Sequence, residues 1–195
     1  LFDAIGTKFP NLPILTEIDD NILSVPHYNE ASATYDPRSN IRQRAIRQMR
    51  ASDAVIVTTP YLKEVFSEFN GDIRVIPNAI DFNQWDALKG KKRPGIRIGW
   101  AGGNGHEGDF EPVADALKRI LAKHKEARLV LVNGPAIRGI PDFFKDVERV
   151  EHHASWTPIL KYPKMLADLD FDIGIAPVTD SAFNRGKSNL KWLEN

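Results

Sequence analysis

Ile96-Arg97-Ile98-Gly99-Trp100-Ala101-Gly102-Gly103-Asn104-Gly105-His106-Glu107-Gly108-Asp109 changes character partway along. Residues Ile96 to Ala101 read as a short buried strand, and glycines punctuate the residues after Ala101. Asp109 to Lys125 then carries Val113, Leu117, Ile120 and Leu121 at helical spacing. A second apolar run, Arg128 to Val132, completes a strand-helix-strand unit. Such a unit implies parallel strands with a helix packed across the sheet.

The same alternation extends in both directions. Downstream lie a short strand near Val147 to Val150, a helix over Pro158 to Leu169 and a buried-looking strand from Asp172 to Ala176. Pro177 and a polar, lysine-bearing loop come after that strand and lead into a helix that opens near Glu194 and Asn195. Upstream, strands are expected at Leu12 to Ile18, Ala54 to Thr58 and Ile73 to Ile76. Helices are expected at Ile41 to Ala51 and Tyr61 to Phe69. Residues 84–95 carry a basic cluster and a Pro-Gly pair, which read as a linker.

The expected class is therefore α/β with two parallel-sheet, Rossmann-like domains: 1–83, a linker 84–95, and 96–195. Both domains read as incomplete. The start lacks a methionine and a signal-peptide pattern, and the last helix stops after it opens, so the chain reads as a fragment of a longer protein.

Composition narrows the function without choosing it. Lysine plus arginine equals aspartate plus glutamate at 26 each, so no global field gathers nucleic acid. The 195 residues contain no cysteine, which excludes disulfides, thiolate metal sites and cysteine nucleophiles. No apolar run approaches the ~18 residues that span a bilayer. The expected location is cytoplasmic. A peripheral contact with the inner membrane face through Arg42, Arg44, Arg47 and Arg50 is weighed against a solvated helix face, which is the preferred reading. Nothing points to an oligomer.

Gly103-Asn104-Gly105-His106-Glu107-Gly108 matches the G-x-G-x-x-G fingerprint between a strand and a helix. An NAD site needs an acidic residue about 20 positions on, at the end of the next strand, and Asn133 stands there. The glycines fit a backbone loop facing a phosphate, or a tight turn that binds nothing. His106 and Asp109 share that loop, with Asp109 expected as the helix N-cap. His152-His153 and Asp19-Asp20 lack the company and spacing of metal ligands.

Several motifs together resemble the retaining GT-B glycosyltransferases of family 4. Val55-Ile56-Val57-Thr58-Thr59-Pro60 and Val75-Ile76-Pro77-Asn78-Ala79-Ile80-Asp81 look like the end of that family's amino-terminal domain. Glu17-Ile18-Asp19-Asp20 is similar to an E-I-D-D of one bacterial branch. Phe183-Asn184-x-Gly186-Lys187-Ser188-x-x-Lys191-Trp192-x-Glu194 matches the branch's nucleotide-sugar site.

The resemblance implies transfer of a sugar from a nucleotide-diphosphate donor to an acceptor hydroxyl of a glycan, lipid or small molecule. Configuration at the anomeric carbon would be retained, with no cofactor and no bound metal. It places His106 near the donor sugar or its phosphates and Lys187 on the diphosphate, as the catalytic pair. Gly102, Gly103, Asn184, Lys187, Ser188 and Glu194 would bind the donor, with Glu194 on the nucleotide ribose. The first glutamate of the family's E-x7-E pair would fall at Gly186, which leaves the donor-sugar contact to Asn184 or Lys187. Asp19-Asp20 would close a strand on the acceptor side, and base selectivity is expected near Trp156 and Pro177. The rival readings are a non-catalytic nucleotide-binding module and, disfavoured by Asn133, an NAD-dependent enzyme.

Overall fold

The structure, a computed structural model, describes residues 7–9, 11–103, 105–133, 140–154 and 157–194, with the backbone alone at 140 and 141. It is an α/β protein with two parallel sheets. The chain divides into two compact units. The first comprises Leu1–Asn78 with Asp180–Ser188, and the second Ala79–Thr179 with Asn189–Asn195. Among the described residues no helix is long and apolar enough to cross a membrane.

The first unit is built on β1 (Leu15–Ile18), β2 (Ala54–Val57) and β3 (Ile73–Val75), hydrogen-bonded in that order. Helices α1 (Asn40–Ala51) and α2 (Pro60–Phe66) connect them. Both helices start on a hydroxyl cap: Ser39 accepts the Arg42 N–H, and Thr59 accepts the Leu62 N–H ahead of Pro60 in the first turn. Met49, Val55, Val57, Leu62, Phe66 and Ile73 form the core. The loop Asp180–Ser188 is part of this unit through side-chain bonds to its backbone. Asn21 Nδ2 donates to the Ala182 carbonyl at 3.0 Å, and Thr59 Oγ1 donates to the Gly186 carbonyl at 3.2 Å.

In the second unit a short helix, α3 (Phe82–Asp86), precedes β4 (Ile96–Ala101), α4 (Glu107–Lys123) and β5 (Ala127–Asn133). Next come β6 (Val150–Ala154), α5 (Tyr162–Leu169), β7 (Ile173–Gly174) and α6 (Leu190–Leu193). The sheet order is β6-β5-β4-β7, all parallel. That is the 3-2-1-4 order of a Rossmann-like sheet, with its switch point between β4 and β7. Strand alternation loads both faces. Ile98, Trp100, Leu129 and Leu131 pack with Phe110, Ala114, Leu117 and Leu121 of α4. Ala101, Val130 and Val132 pack with Leu166 and Leu169 of α5.

Several local expectations shift. Helix α4 begins at Glu107 instead of Asp109, so Gly108 lies inside its first turn and Ile120 turns outward, half exposed. Strand β6 begins at Val150, because Arg149 adopts φ 63°, a left-handed break that ends the preceding turn. Its guanidinium donates to the Leu121 and Ala127 carbonyls, which secures that break. The run Asp172 to Ala176 is not buried. Only Ile173 and Gly174 form a strand, paired on one side to β4, and Ile173 is 50% exposed. β-Branched composition looks the same at the centre and at the margin of a sheet.

Residues 84–95, read as a linker, are strapped to the second unit. Trp85 meets Tyr162 edge-on at 6.3 Å, and Arg93 donates from its backbone to Asp170 and from Nε to the Asp168 carbonyl.

Gly99 is required by close packing. A Cβ there would lie 2.1 Å from the Phe171 ring, on the face shared with α5. Gly99→Ala should destabilise the second unit by about 1–3 kcal/mol. Urea denaturation monitored by tryptophan fluorescence checks this, because the described tryptophans Trp85, Trp100 and Trp192 belong to that unit.

Candidate functional site

Strands β4 and β5 end beside a cavity of about 340 Å3 lined by Gly102, Gly103, Asn133, Tyr162, Met165 and Glu194, with Val132, Ile159 and Lys191 also on its wall. Its position is set by the fold, since the carboxyl ends of parallel strands are where α/β sheets leave a crevice. The volume is within the range of small-ligand sites. Gly102 leaves β4 directly above the Trp100 ring, and a Cβ on it would fall 2.4 Å from that indole. Gly103 has open space where a side chain would project.

The polar wall is built by α5 and α6. Tyr162, at the first turn of α5, donates its hydroxyl to Glu194 Oε2 at 3.2 Å, and Lys191 Nζ donates to the same oxygen at 3.3 Å. The Glu194 side chain is only 9% exposed. Burial first, and then the Glu194 charge, push the Tyr162 hydroxyl far above its ordinary range, so it remains a donor. The result is a carboxylate held in place on one oxygen, able to accept hydrogen bonds from a ligand's hydroxyls.

Beside the same strand ends, His106 Nδ1 meets Asp109 Oδ2 at 2.9 Å, and the imidazole stands edge-on to Trp100 at 5.6 Å. Asp109 is buried and is not the helix cap; the N-cap position falls to His106, whose side chain does not bond the backbone of the first turn. The other Asp109 oxygen, Oδ1, accepts the Thr179 N–H at 2.9 Å and the Thr179 hydroxyl at 3.0 Å. Asp109 thus ties the chain after β7 to the first turn of α4 and fixes the His106 ring. Asn104, within the glycine fingerprint, and Trp156 lie outside the described residues.

Asn184, Lys187 and Ser188 belong to the first unit. Lys187 Nζ pairs with Asp20 Oδ1 at 3.0 Å and lies 4.5 Å from the centre of the Phe183 ring. Ser188 Oγ accepts from Asn78 Nδ2 at 3.0 Å, and Asn184 is buried in a 3-10 turn with its N–H on Ser181 Oγ. Gly186 is buried too. A Cβ on it would come 2.8 Å from Leu62 Cδ2, so a larger residue there requires the Leu62 side chain to shift. Asp19, Asp20, Glu17, Tyr35 and Phe183 border a cavity of about 340 Å3 within this unit. Among the described residues no three His, Asp or Glu side chains gather as a metal site.

Tyr162 and Thr179 escape a reading of the sequence, as does the Asp109 bond to Thr179, because these roles depend on partners far along the chain. Asn133 was visible as a strand-end residue, but only as a missing acid. No family model matches this chain, and no curated protein matches it.

Proposed function

We propose that this protein is a retaining glycosyltransferase of GT-B type, and that the cavity of its second unit receives the nucleoside end of a nucleotide-diphosphate sugar. The observation that carries this reading is the Glu194 carboxylate, held by Tyr162 and Lys191 on the wall that also contains Gly102 and Gly103. A carboxylate braced in that way suits the vicinal hydroxyls of a ribose. The glycines allow close backbone approach to a phosphate at the strand end.

In the reaction the bond from the anomeric carbon to the diphosphate oxygen breaks and a bond to the acceptor oxygen forms, while the acceptor hydroxyl passes its proton to the departing diphosphate. Negative charge grows on the departing diphosphate, so backbone N–H groups and a cation lower the barrier. The resemblance assigns that cation to Lys187 and places His106 near the transferred sugar. The carboxylates around the first unit's cavity would serve an acceptor rich in hydroxyls.

A non-catalytic nucleotide-binding module is the second reading. It is favoured by Gly186, which stands where the resembled family carries its donor-sugar glutamate.

Calorimetric titration with UDP, GDP, ADP and NAD tests the reading. One nucleoside diphosphate should bind best, and Glu194→Ala should weaken it about tenfold or more, as expected for loss of hydrogen bonds to a charged group. NAD bound best and unaffected by the substitution would refute it. Sugar transfer or donor hydrolysis separates the enzyme from the module.

A further inference from the structure

Asn133 ends β5 at 2% exposure, lines the cavity, and its Nδ2 has no hydrogen-bond partner among the described residues. A buried amide N–H2 left unpaired costs stability, and native folds seldom keep one without a use. The other half of the side chain is engaged, since Oδ1 is hydrogen-bonded to His152 Nε2. Partial desolvation of the ring, and then the neighbouring His153, hold His152 below its ordinary range, which favours the neutral imidazole at pH 7. Donation of the His152 Nε2–H into Oδ1 fixes the amide plane and presents Nδ2 as a donor.

We infer that Asn133 reads the base of the bound nucleotide, its Nδ2 donating to a ring carbonyl or ring nitrogen; this rests on the proposed nucleotide site. The surroundings select the heterocycle over the other parts of the ligand. Val132, Ile159 and Met165 give the cavity apolar walls suited to a flat ring. The braced carboxylate of Glu194 already suits ribose hydroxyls, which have protons to give. A phosphate would demand charge, and a neutral amide this deeply buried supplies none. A strand-end carboxylate grips a ribose by accepting its protons, whereas a strand-end amide whose oxygen is already taken can only give one. The same substitution that argues against NAD therefore moves the recognition from sugar to base.

Asn133→Val in the full chain tests this, with the wild type's tightest nucleoside diphosphate and ribose 5-phosphate as probes. Affinity for the nucleoside diphosphate should fall about tenfold, that for ribose 5-phosphate should stay unchanged, and the melting temperature without ligand should hold or rise. The reason for the last expectation is that the orphan donor is gone and exposed His152 can turn to water. Equal nucleotide affinity in both proteins would overturn the inference and leave the nucleotide site standing. A parallel loss for ribose 5-phosphate would assign Asn133 to the sugar, and a clear fall in melting temperature would assign it a structural role; either overturns the inference. Wild-type protein that binds none of the nucleotides would remove the proposed site as well.

Discussion

Glu151→Ala should cost the second unit about 3–4 kcal/mol, because it strands a guanidinium in the core. Arg97 is 2% exposed on β4, and both its terminal nitrogens bond Glu151, at 3.1 and 2.7 Å. Its Nε donates to the Leu169 carbonyl at 2.7 Å, so Glu151 is the group that balances the charge. Arg128 adds a third bond at 3.0 Å. The Arg97 hydrogen bonds lead in drawing the Glu151 carboxyl down to about 2, with smaller help from His153 and Arg128.

A carboxylate with a lowered folded pKa stabilises the fold fully above its unfolded value near 4.5. That contribution disappears as pH falls from there through about 2. Wild-type protein should therefore lose stability between those limits, and Glu151→Ala should lose less over the same interval. Urea denaturation at pH 7 and pH 3, monitored by tryptophan fluorescence, measures both effects. The double variant Arg97→Met, Glu151→Leu should recover most of the loss at neutral pH, since buried ion pairs often exchange for apolar residues at little cost. A single variant as stable as wild type would show that the pair contributes nothing.

Trp100→Ala is expected to be equally severe, at about 3–5 kcal/mol, and to reach the cavity. The indole is fully buried, stands edge-on to Phe110 at 5.0 Å and to His106 at 5.6 Å, and lies beneath Gly102. Its removal leaves a void between the sheet and α4 and frees both the loop and the imidazole. Circular dichroism during denaturation gives the stability. Gly102→Ala supplies an internal control. In the wild-type background its Cβ collides with the indole and should destabilise, whereas in the Trp100→Ala background the collision is gone. The two changes should therefore couple by about 1 kcal/mol or more. Simple additivity would mean that the indole does not shape the loop.

Sequence reading succeeded where structure is local. β4, α4 and β5 were legible because apolar periodicity is a property of neighbouring residues. Ile120 was misplaced because helical spacing alone does not fix the width of the buried stripe. The exposure of Ile173 depends on which strand lies next to it. Glu194 could be singled out by resemblance, but the Tyr162 hydroxyl that braces it lies 32 residues away. The attachment of Asp180–Ser188 to the first unit rests on hydroxyl and amide contacts that leave no periodic trace.

That attachment also governs the order of events during synthesis. Asn21 must wait for the Ala182 carbonyl, 161 residues later, and Thr59 waits for Gly186 across 127. At about 5–20 residues per second, a ribosome leaves Asn21 without its partner for on the order of ten to thirty seconds. Through that interval the second unit's sheet can close on contacts of its own, whereas β1, β2 and β3 stand without the loop that covers Leu62. The first of the two units to be translated is completed only after the second unit's sheet, and a nascent chain stalled before residue 180 would expose that surface to chaperones.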